Sequence, residues 1–431
     1  MRRIEAEVLV VGAGAAGLAA TAELRRRGRE VVLLEARDRP GGRVHTVIDP
    51  RLGVPIELGA EFVHGRPPRA LALAREAGLR VLAVPERRVA SARENGAAAA
   101  FGRGEAAAFA RAMELLSVGG REGESFRESL ARTGEGRRAG RDAVRIAESF
   151  VGGFYLADAG TASASLLARM TEALDAIGGD RLSRAEGGWG ALLRPLVDAA
   201  GPALRLGSEV RALAWRRGRV EARVRGPGGE AAVVLARRAI VTVPVPVLAA
   251  GSPRFSPALP APVRRALAAL PPGPAVKLVL RFREPPWGRA APPAFMRDPG
   301  SPVPVMWSLA PLAAPVLVGW CGGPASARVA AMSPRAAAAA ALRTVGRALR
   351  VRDPGALLDG ITAVDWTRDP WARGGYVVFP AGAERAPEIL ARPIEGTLFL
   401  AGEATAGGLA GTVEGALQEG ERAAREVIDS P

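Results

Sequence analysis

Cysteine, histidine, tyrosine and lysine are all scarce in this 431-residue chain. The single cysteine, Cys321, excludes an internal disulfide. Only two histidines, His45 and His64, accompany it, so neither a structural zinc site nor an iron–sulfur cluster is expected. We therefore predict no metal site. Any demanding redox chemistry must come from a bound organic cofactor or from carboxylates.

Long apolar runs are also missing. No stretch of eighteen uninterrupted apolar residues occurs, so no transmembrane helix and no membrane partner are predicted. The residues after Met1 lead directly into an apolar strand and a glycine loop, without a signal-peptide cleavage pattern. The sequence predicts a cytoplasmic protein, and its length suits two domains.

The basic residues are almost all arginine. The net charge is +15, with 59 basic residues of which Lys277 is the only lysine. The arginines are scattered, without interleaved aromatic residues, and accompany abundant alanine, glycine and proline. This pattern favours a compositional bias and a solvated basic surface, so no nucleic-acid partner is predicted.

A nucleotide-binding pattern opens the chain. Residues 7–11 predict a strand, 15–27 a helix and 30–34 a second strand, which together form a β-α-β unit. Between the first strand and the helix lies a GxGxxG loop whose predicted contact residues are Gly12, Gly14, Ala15, Ala16 and Gly17. The glycines permit a tight turn and close approach of a pyrophosphate to the helix N-terminus. Glu35 ends the second strand, where a carboxylate can bind ribose hydroxyls.

A second glycine loop follows this carboxylate closely. Ala36 and Arg37 lead into Pro40-Gly41-Gly42-Arg43. A nicotinamide-binding fold does not need this loop, so we expect Ala36, Arg37, Gly42 and Arg43 to make further contacts to a diphosphate.

The rest of the chain alternates between helical and strand patterns. The sequence predicts mostly helix for residues 69–184 and strands separated by turns for residues 204–243. Residues 276–282, 304–309 and 316–321 predict further strands, 333–349 a helix, 397–401 a buried strand and 411–428 a closing helix. The proline-rich segment 257–274 predicts a hinge or a crossover.

These motifs resemble, in order along nearly the whole chain, the flavin-containing amine oxidases, which include monoamine oxidases, polyamine oxidases and histone lysine demethylases. The segments that carry the resemblance, besides the two glycine loops, are 57–65 (ELGAEFVHG), 186–192 (EGGWGAL), 241–244 (VTVP), 365–376 (DWTRDPWARGGY), 401–403 (AGE) and 411–416 (GTVEGA).

The resemblance implies the fold and the cofactor contacts. It implies an α/β fold in which a Rossmann-like FAD domain (1–70, 185–268 and 385–431) accompanies a substrate domain of mixed sheet and helices (71–184 and 269–384). The further FAD contacts that it implies are Gly59, Ala60, Glu61, Phe62, Val210, Gly402, Glu403, Thr412 and Val413.

The resemblance also implies catalytic residues. Lys277, on an apolar strand, corresponds to a lysine that holds a water against flavin N5, and a buried lysine can shift its pKa as arginine cannot. Trp366 is expected beside the isoalloxazine and Tyr376 as one wall of an aromatic cage. His64 either faces the substrate or is a hydrogen-bonded loop residue. Glu61 either meets a cationic substrate or caps its loop. Trp371 is expected to be a core aromatic residue.

Two departures from the family pattern matter. No cysteine lies near Tyr376, and Cys321 is distant in sequence, so FAD is expected to be non-covalent. Thr412 stands where monoamine oxidases have a second cage tyrosine, which predicts a half-open cage.

The expected reaction is oxidation of an amine to an imine by hydride transfer to FAD, with dioxygen giving hydrogen peroxide. Two alternatives stay open: a desaturase or protoporphyrinogen-oxidase-like enzyme acting on a hydrophobic substrate, and a flavin-binding protein without turnover. The predicted partners are a small amine and dioxygen. The sequence leaves open which amine is oxidised and how many subunits assemble.

Overall fold

The computed structural model of the chain describes residues 2–85, 88–91, 98–99 and 103–430. The strands, numbered along the chain, are β1 (Arg2–Glu5), β2 (Val8–Val11), β3 (Val31–Leu34), β4 (Thr46–Ile48), β5 (Pro55–Glu57), β6 (Val63–His64), β7 (Val81–Ala83), β8 (Arg88–Ser91), β9 (Ala98–Ala99), β10 (Leu182–Ala185), β11 (Leu204–Arg205), β12 (Glu209–Arg216), β13 (Arg219–Arg225), β14 (Ala231–Ala236), β15 (Arg238–Val241), β16 (Arg254–Ser256), β17 (Ala275–Phe282), β18 (Phe295–Arg297), β19 (Val305–Ser308), β20 (Val316–Gly322), β21 (Leu358–Asp365) and β22 (Leu398–Leu400).

The helices are α1 (Ala15–Arg26), α2 (Pro68–Glu76), α3 (Arg103–Leu116), α4 (Phe126–Thr133), α5 (Glu135–Ala139), α6 (Arg141–Phe154), α7 (Ala164–Ala176), α8 (Gly188–Leu192), α9 (Arg194–Ala200), α10 (Val245–Ala249), α11 (Ala261–Ala268), α12 (Pro324–Ala330), α13 (Pro334–Leu349), α14 (Ala386–Ala391) and α15 (Val413–Asp429). Among the described residues, none of these helices combines the length and the hydrophobicity that crossing a bilayer requires.

A parallel sheet positions the GxGxxG loop. Its order is β11-β3-β2-β15-β22, and every neighbouring pair is parallel. β2 and β3 are buried at every residue, as the central strands of a parallel sheet must be. Because side chains alternate along a strand, Val8 and Val10 pack with α1 and α15. Leu9 and Val11 join a separate cluster that includes residues of β13 and β14.

A second sheet carries Lys277. Its order is β21-β17-β20-β19-β18-β8-β9, and its pairs are antiparallel except for β18 with β8. On β17, Val276, Leu278 and Leu280 pack in one cluster with α13. Val279 packs in another cluster on the opposite face. The alternation of side chains places Lys277 on the same face as Val279.

The remaining strands form smaller assemblies. A mixed sheet has the order β1-β14-β13-β12-β16, β10 pairs with β6 and β7, and β4 pairs with β5. Helix α15 lies against α1 at Gly420, where a Cβ would be only 2.1 Å from the backbone oxygen of Ala16. This close contact brings the N-termini of both helices to the same region of the molecule.

The predicted elements are mostly present, but the structure also has strands that were not predicted, including β7, β8 and β9 within residues 69–184, which were predicted to be mostly helix. Residues 204–214 form two strands, because a turn at 206–208 separates β11 from β12. The proline-rich segment 257–274 contains helix α11, whose first turn begins after Pro260 and tolerates proline. Strand β21 was not predicted, since its residues are half-buried and exposed and its sequence lacks a clear alternation.

Candidate active site

One cavity of about 960 Å³ is lined by residues of the parallel sheet, the Lys277 sheet and the helices between them. Its volume is at the upper end of the range for ligand-binding pockets. Every predicted cofactor-contact residue except Gly17 lines this cavity, and so do Lys277, Tyr376, Trp366 and His64. The tertiary structure therefore brings together residues that are spread over most of the chain.

The first glycine loop has the backbone geometry of a nucleotide-binding turn. Gly12 has φ +100°, a conformation that side chains rarely tolerate. Gly17 lies behind the loop, and a Cβ there would be 1.8 Å from the backbone oxygen of Gly12. Gly14 precedes α1 and offers no capping side chain, so the first N–H groups of this helix are available to an anion.

The predicted ribose carboxylate organises the same loop. Glu35 accepts a hydrogen bond from Ala13 N at 2.7 Å through Oε2 and one from Arg37 N at 2.9 Å through Oε1. The backbone oxygen of Glu35 also accepts from Ser208 N, which holds the start of β12 and therefore Val210 beside the cavity.

The second glycine loop lies directly on the first. Gly41 N donates to the backbone oxygen of Ala13 at 2.8 Å. A Cβ on Gly42 would meet Gly14 Cα at 3.3 Å. Arg43 then reaches the closing segment of the chain, where its Nη1 lies 2.9 Å from Glu403 Oε1. The two loops and the 402–403 segment therefore form one continuous wall.

Helix α15 contributes a second helix N-terminus to the cavity. Thr412 is its N-cap, and the Thr412 hydroxyl accepts a hydrogen bond from Gly415 N at 2.9 Å. Thr412 and Val413 line the cavity next to Glu403, whose Oε2 accepts from Gly411 N at 3.2 Å. The position where a second cage tyrosine was considered thus serves as a helix cap.

Lys277 is almost completely buried and fully hydrogen-bonded. Its ammonium donates to the backbone oxygens of Glu57 and Gly59, both at 2.9 Å, and to Glu61 Oε2 at 2.6 Å. An ammonium has three N–H groups, so this arrangement uses all of them. The predicted contact with a water would require one of these hydrogen bonds to be released.

Glu61 is the centre of a buried triad formed by Lys277, Glu61 and Arg184. Arg184 Nη1 lies 2.5 Å from Glu61 Oε1, and Trp307 Nε1 donates to the same oxygen at 2.7 Å. Burial alone would raise the pKa of the Glu61 carboxyl, but the charges of Lys277 and Arg184 outweigh it and hold that pKa below its usual value. Two cations around one carboxylate leave the triad with a net charge of one positive unit.

Of the two roles expected for Glu61, contact with a cationic substrate does not fit this geometry. Both carboxylate oxygens are already occupied by protein donors. Sequence reasoning did not identify Arg184 or Trp307. One arginine among 58 carries no local signal, and Trp307 is distinguished only as an aromatic residue on a predicted strand.

Glu57 lies next to the triad and titrates differently. Its carboxylate accepts from Trp189 N at 2.6 Å and from the Thr46 hydroxyl at 2.8 Å. Burial raises the pKa of Glu57 to about 7 in spite of these hydrogen bonds. No cation contacts this carboxyl directly, which is why its pKa moves in the opposite direction to that of Glu61.

Trp366 and Tyr376 are held by hydrogen bonds to the backbone of neighbouring segments. Trp366 Nε1 donates to Leu58 O at 3.0 Å, so the indole lies against the loop that Lys277 also contacts. The Tyr376 hydroxyl donates to the backbone oxygen of Phe154, and burial raises its pKa. Its ring lines the cavity, but its hydroxyl is engaged with the protein.

His64 lines the cavity between two aromatic rings. Its ring centroid is 5.7 Å from that of Phe154 and 6.4 Å from that of Phe62. Burial lowers the pKa of His64 although a hydrogen bond to the backbone of Gly179 opposes the shift, so the imidazole is neutral at pH 7. His64 therefore faces the cavity and is also a hydrogen-bonded loop residue.

The interpretation of Trp371 as a core aromatic residue was wrong. Trp371 is 37% exposed and lines the cavity, with the Arg37 guanidinium 5.4 Å from its ring centroid. Arg37 Nη2 is 2.6 Å from Asp369 Oδ1, so this salt bridge fixes the stacked pair. The sequence motif could not distinguish Trp371 from Trp366, because both follow the same strand.

The family assignment follows from the sequence as a whole. A family model described as flavin containing amine oxidoreductase matches residues 15–428. The chain belongs to the flavin-containing amine oxidoreductases. It is also 30% identical, over 97% of its length and 88% of the relative, to polyamine oxidase 3 of Oryza sativa subsp. japonica. It is 28% identical, over 99% of its length and 57% of the relative, to lysine-specific histone demethylase 1 homolog 2 of the same plant.

Solved structures confirm the α/β fold of this flavin-containing amine oxidoreductase. Wild-type putrescine oxidase bound to putrescine matches with a TM-score of 0.83 at 22% identity, with 99% of both chains covered. Cyclohexylamine oxidase from Brevibacterium oxydans IH-35A matches with a TM-score of 0.82 at 23% identity, with 98% of both chains covered.

The residues that line the cavity of this flavin-containing amine oxidoreductase are suited to binding the flavin cofactor that its family name implies. The same cavity is lined by two helix N-termini, by two glycine loops in contact and by the Glu35 carboxylate. Cys321 packs in the core cluster of Val276 and Leu278, and its Sγ donates to Pro302 O. Burial raises the pKa of this thiol to about 12.

Proposed function

We propose that the chain is an FAD-dependent amine oxidase that converts an amine to an imine and passes the electrons to dioxygen. The observation that carries this proposal is the single cavity in which the nucleotide-binding loops meet Lys277, Trp366 and Tyr376. In the reaction the amine loses a hydride and a proton. Bound FAD supplies the two-electron chemistry, and reduction of dioxygen gives hydrogen peroxide.

The phosphates of FAD are assigned to the two glycine loops. The N–H groups at the start of α1 and the positive end of its dipole favour the diphosphate. Arg43, fixed by Glu403, adds a cation at the same wall. Glu35 is assigned to the ribose, and the start of α15 at Val413 to the flavin ring.

The protein's part in the oxidation is to orient the amine and exclude water. Trp366 and Tyr376 are the proposed walls of the amine site, since both rings line the cavity and are fixed by hydrogen bonds. Neutral His64 can accept or donate a hydrogen bond at the same surface. Lys277 holds the 57–61 loop in place through its three hydrogen bonds.

Non-covalent binding of FAD is supported by the position of the one cysteine. Cys321 lies on the opposite face of β20 from the residues packed with Val279, and it does not line the cavity. We also propose the domain division given by the sequence. All strands of the parallel sheet come from its FAD segments, and all strands of the Lys277 sheet come from its substrate segments.

An anaerobic titration tests this function. The full chain is loaded with FAD, and amines, a porphyrinogen and a carotenoid are added separately while the flavin absorbance is followed. We expect bleaching by an amine only, and hydrogen peroxide on admission of dioxygen. Bleaching by the hydrophobic compounds but not by amines would favour the desaturase alternative. A flavin that no compound bleaches would favour a non-catalytic protein.

A further inference from the structure

The aromatic residues of this chain are concentrated around the cavity. Aromatic residues make up only 5% of the sequence, as seven Trp, two Tyr and eleven Phe. Twelve of these twenty line the cavity: Phe62, Phe109, Phe150, Phe154, Tyr155, Trp189, Phe295, Trp307, Trp320, Trp366, Trp371 and Tyr376. The lining of the cavity is therefore enriched in aromatic rings relative to the chain as a whole.

Four of these rings form a continuous surface, the aromatic wall, consisting of Phe62, Phe295, Trp307 and Trp320. The centroid of Trp307 is 5.3 Å from that of Phe62, 5.9 Å from that of Phe295 and 6.5 Å from that of Trp320. The wall begins beside Lys277, whose Nζ is 5.8 Å from the Trp307 ring centroid.

The acidic groups of the cavity do not provide a buried partner for a second ammonium group. Glu61, beside the aromatic wall, is already paired with two cations. Among the described lining residues, four acids lie on the side of the glycine loops and already accept hydrogen bonds from protein donors: Glu35, Glu209, Glu403 and Glu414. The other three, Glu114, Asp175 and Asp180, are exposed to solvent, where ion pairs contribute little.

The charge beside the aromatic wall is positive. The buried triad of Lys277, Glu61 and Arg184 carries one net positive unit. A second ammonium buried here would be desolvated, repelled by these cations and left without a free carboxylate. A hydrocarbon group in the same place would pack against the rings and leave water.

On the basis of the amine-oxidase function proposed above, we propose that the substrate is a monoamine whose remaining part is apolar, an arylalkylamine or alkylamine, rather than a diamine or polyamine. The amine reacts at the Lys277 end, and its apolar substituent lies along the aromatic wall. Glu61 and Arg184 act as positioning residues for that wall: Arg184 lies 4.5 Å from the Phe62 ring centroid and donates to Ser308 O next to Trp307.

Binding to the FAD-loaded chain tests this proposal without turnover. Dissociation constants are measured anaerobically by isothermal titration calorimetry, with the flavin reduced beforehand by dithionite so that it cannot accept a hydride, for butylamine, pentylamine, hexylamine and 2-phenylethylamine. The same is done for 1,4-diaminobutane and spermidine. We expect affinity to rise by roughly threefold to fourfold per methylene group. Pentylamine and 1,4-diaminobutane differ only by a terminal methyl in place of an ammonium, and we expect the diamine to bind at least about 100-fold more weakly.

A pair of variants tests the role of charge. Phe295 is half-buried in β18 and lines the cavity, so Phe295→Glu adds a carboxylate to the aromatic wall, and Phe295→Gln is its uncharged control. We expect Phe295→Glu alone to improve binding of 1,4-diaminobutane relative to pentylamine, by tenfold or more. The FAD content and the unfolding midpoint of both variants show whether they are folded.

The outcomes separate this proposal from the proposed function. If the diamine or spermidine binds the wild-type chain as tightly as pentylamine, or if no amine binds, the monoamine proposal is wrong. If both Phe295 variants lose FAD, the affinity series in the wild-type chain decides alone. If amines bind with the expected preference but never reduce the flavin, the monoamine preference stands and the oxidase function fails.

Discussion

Lys277 and Glu61 form a buried ion pair across 216 residues of sequence, with Nζ 2.6 Å from Oε2. Arg184 completes the triad from a third segment of the chain. Two cations and one carboxylate occupy a site from which water is largely excluded, so the removal of one member changes the charge balance in a way that depends on which member is removed.

Glu61→Gln is expected to be more destabilising than Lys277→Met. The first change leaves Lys277 and Arg184 without a counterion, which costs about 3–5 kcal/mol of unfolding free energy. The second leaves a balanced pair of Glu61 and Arg184 and removes one hydrogen bond from each of two backbone carbonyls, at about 1 kcal/mol each, because carbonyls tolerate the loss of one acceptor contact. Urea unfolding at pH 7 measures both. Equal losses, or the reverse order, would contradict a net positive charge at the triad.

Lys277→Met is expected to keep FAD but to slow flavin reduction or reoxidation. The three hydrogen bonds of Lys277 go to the 57–61 loop rather than to the glycine loops, so the direct loss is at Gly59 and its neighbours. Stopped-flow measurement of both half-reactions tests this expectation, with Lys277→Arg as the control that retains charge. Unchanged rates in both half-reactions of the Met variant would remove Lys277 from the mechanism.

Gly14→Ala and Gly17→Ala are expected to damage the protein in different ways: the first should weaken FAD binding, and the second should lower stability. The nearest protein atom to a Cβ on Gly14 is 4.0 Å away, so this variant should fold normally but bind FAD more weakly, because its methyl group faces the proposed phosphate site. A Cβ on Gly17 would be 1.8 Å from Gly12 O, so this variant should lose stability even without cofactor. Unfolding midpoints of the cofactor-free proteins and their FAD dissociation constants distinguish the two. A Gly17 variant as stable as the wild type would contradict the observed packing.

Glu57 is expected to make stability fall as pH rises. Its pKa in the folded chain is about 7, above its ordinary value of 4.5, so its ionisation opposes folding. Its contribution is greatest below pH 4.5 and is lost as the pH rises through 7, by about 3 kcal/mol in total. The difference in unfolding free energy between the wild type and Glu57→Gln, measured from pH 4.5 to 8, should change over this window in favour of the variant. A difference independent of pH would show that Glu57 does not titrate there.

Tyr376→Phe is expected to retain amine oxidation. The Tyr376 hydroxyl donates to Phe154 O and not into the cavity, while the ring forms part of the wall. Loss of the hydroxyl leaves one carbonyl unpaired, which should cost stability by about 1–3 kcal/mol without a large change in kcat/KM. Tyr376→Ala, which removes the ring, should lower kcat/KM strongly. A large decrease for the Phe variant would place the phenol itself in the reaction.

The nucleotide-binding half of the site was predictable because its signals are local. One short β-α-β unit has three local requirements: a positive φ at Gly12, a close contact at Gly17 and a carboxylate at the end of β3. Residues that are near one another in the sequence satisfy all three. The predicted contact at Glu403 depended on the family resemblance, since nothing local indicates that Glu403 forms a salt bridge with Arg43.

The substrate half could not be predicted in the same way. Trp371 was misplaced because a sequence motif does not give the exposure of a side chain. Arg184 was not identified because its partner, Glu61, lies 123 residues earlier. The occupation of all three Lys277 donors likewise depends on a loop that is far away in sequence.

The sequence by itself determined the family, the glycine loops and the identity of the one lysine. Only the tertiary structure decided which groups surround that lysine and Glu61, and whether either side chain is available to a ligand. The reason is physical: a glycine turn is specified by steric limits on a few adjacent residues, whereas the state of a buried charge depends on which distant groups surround it.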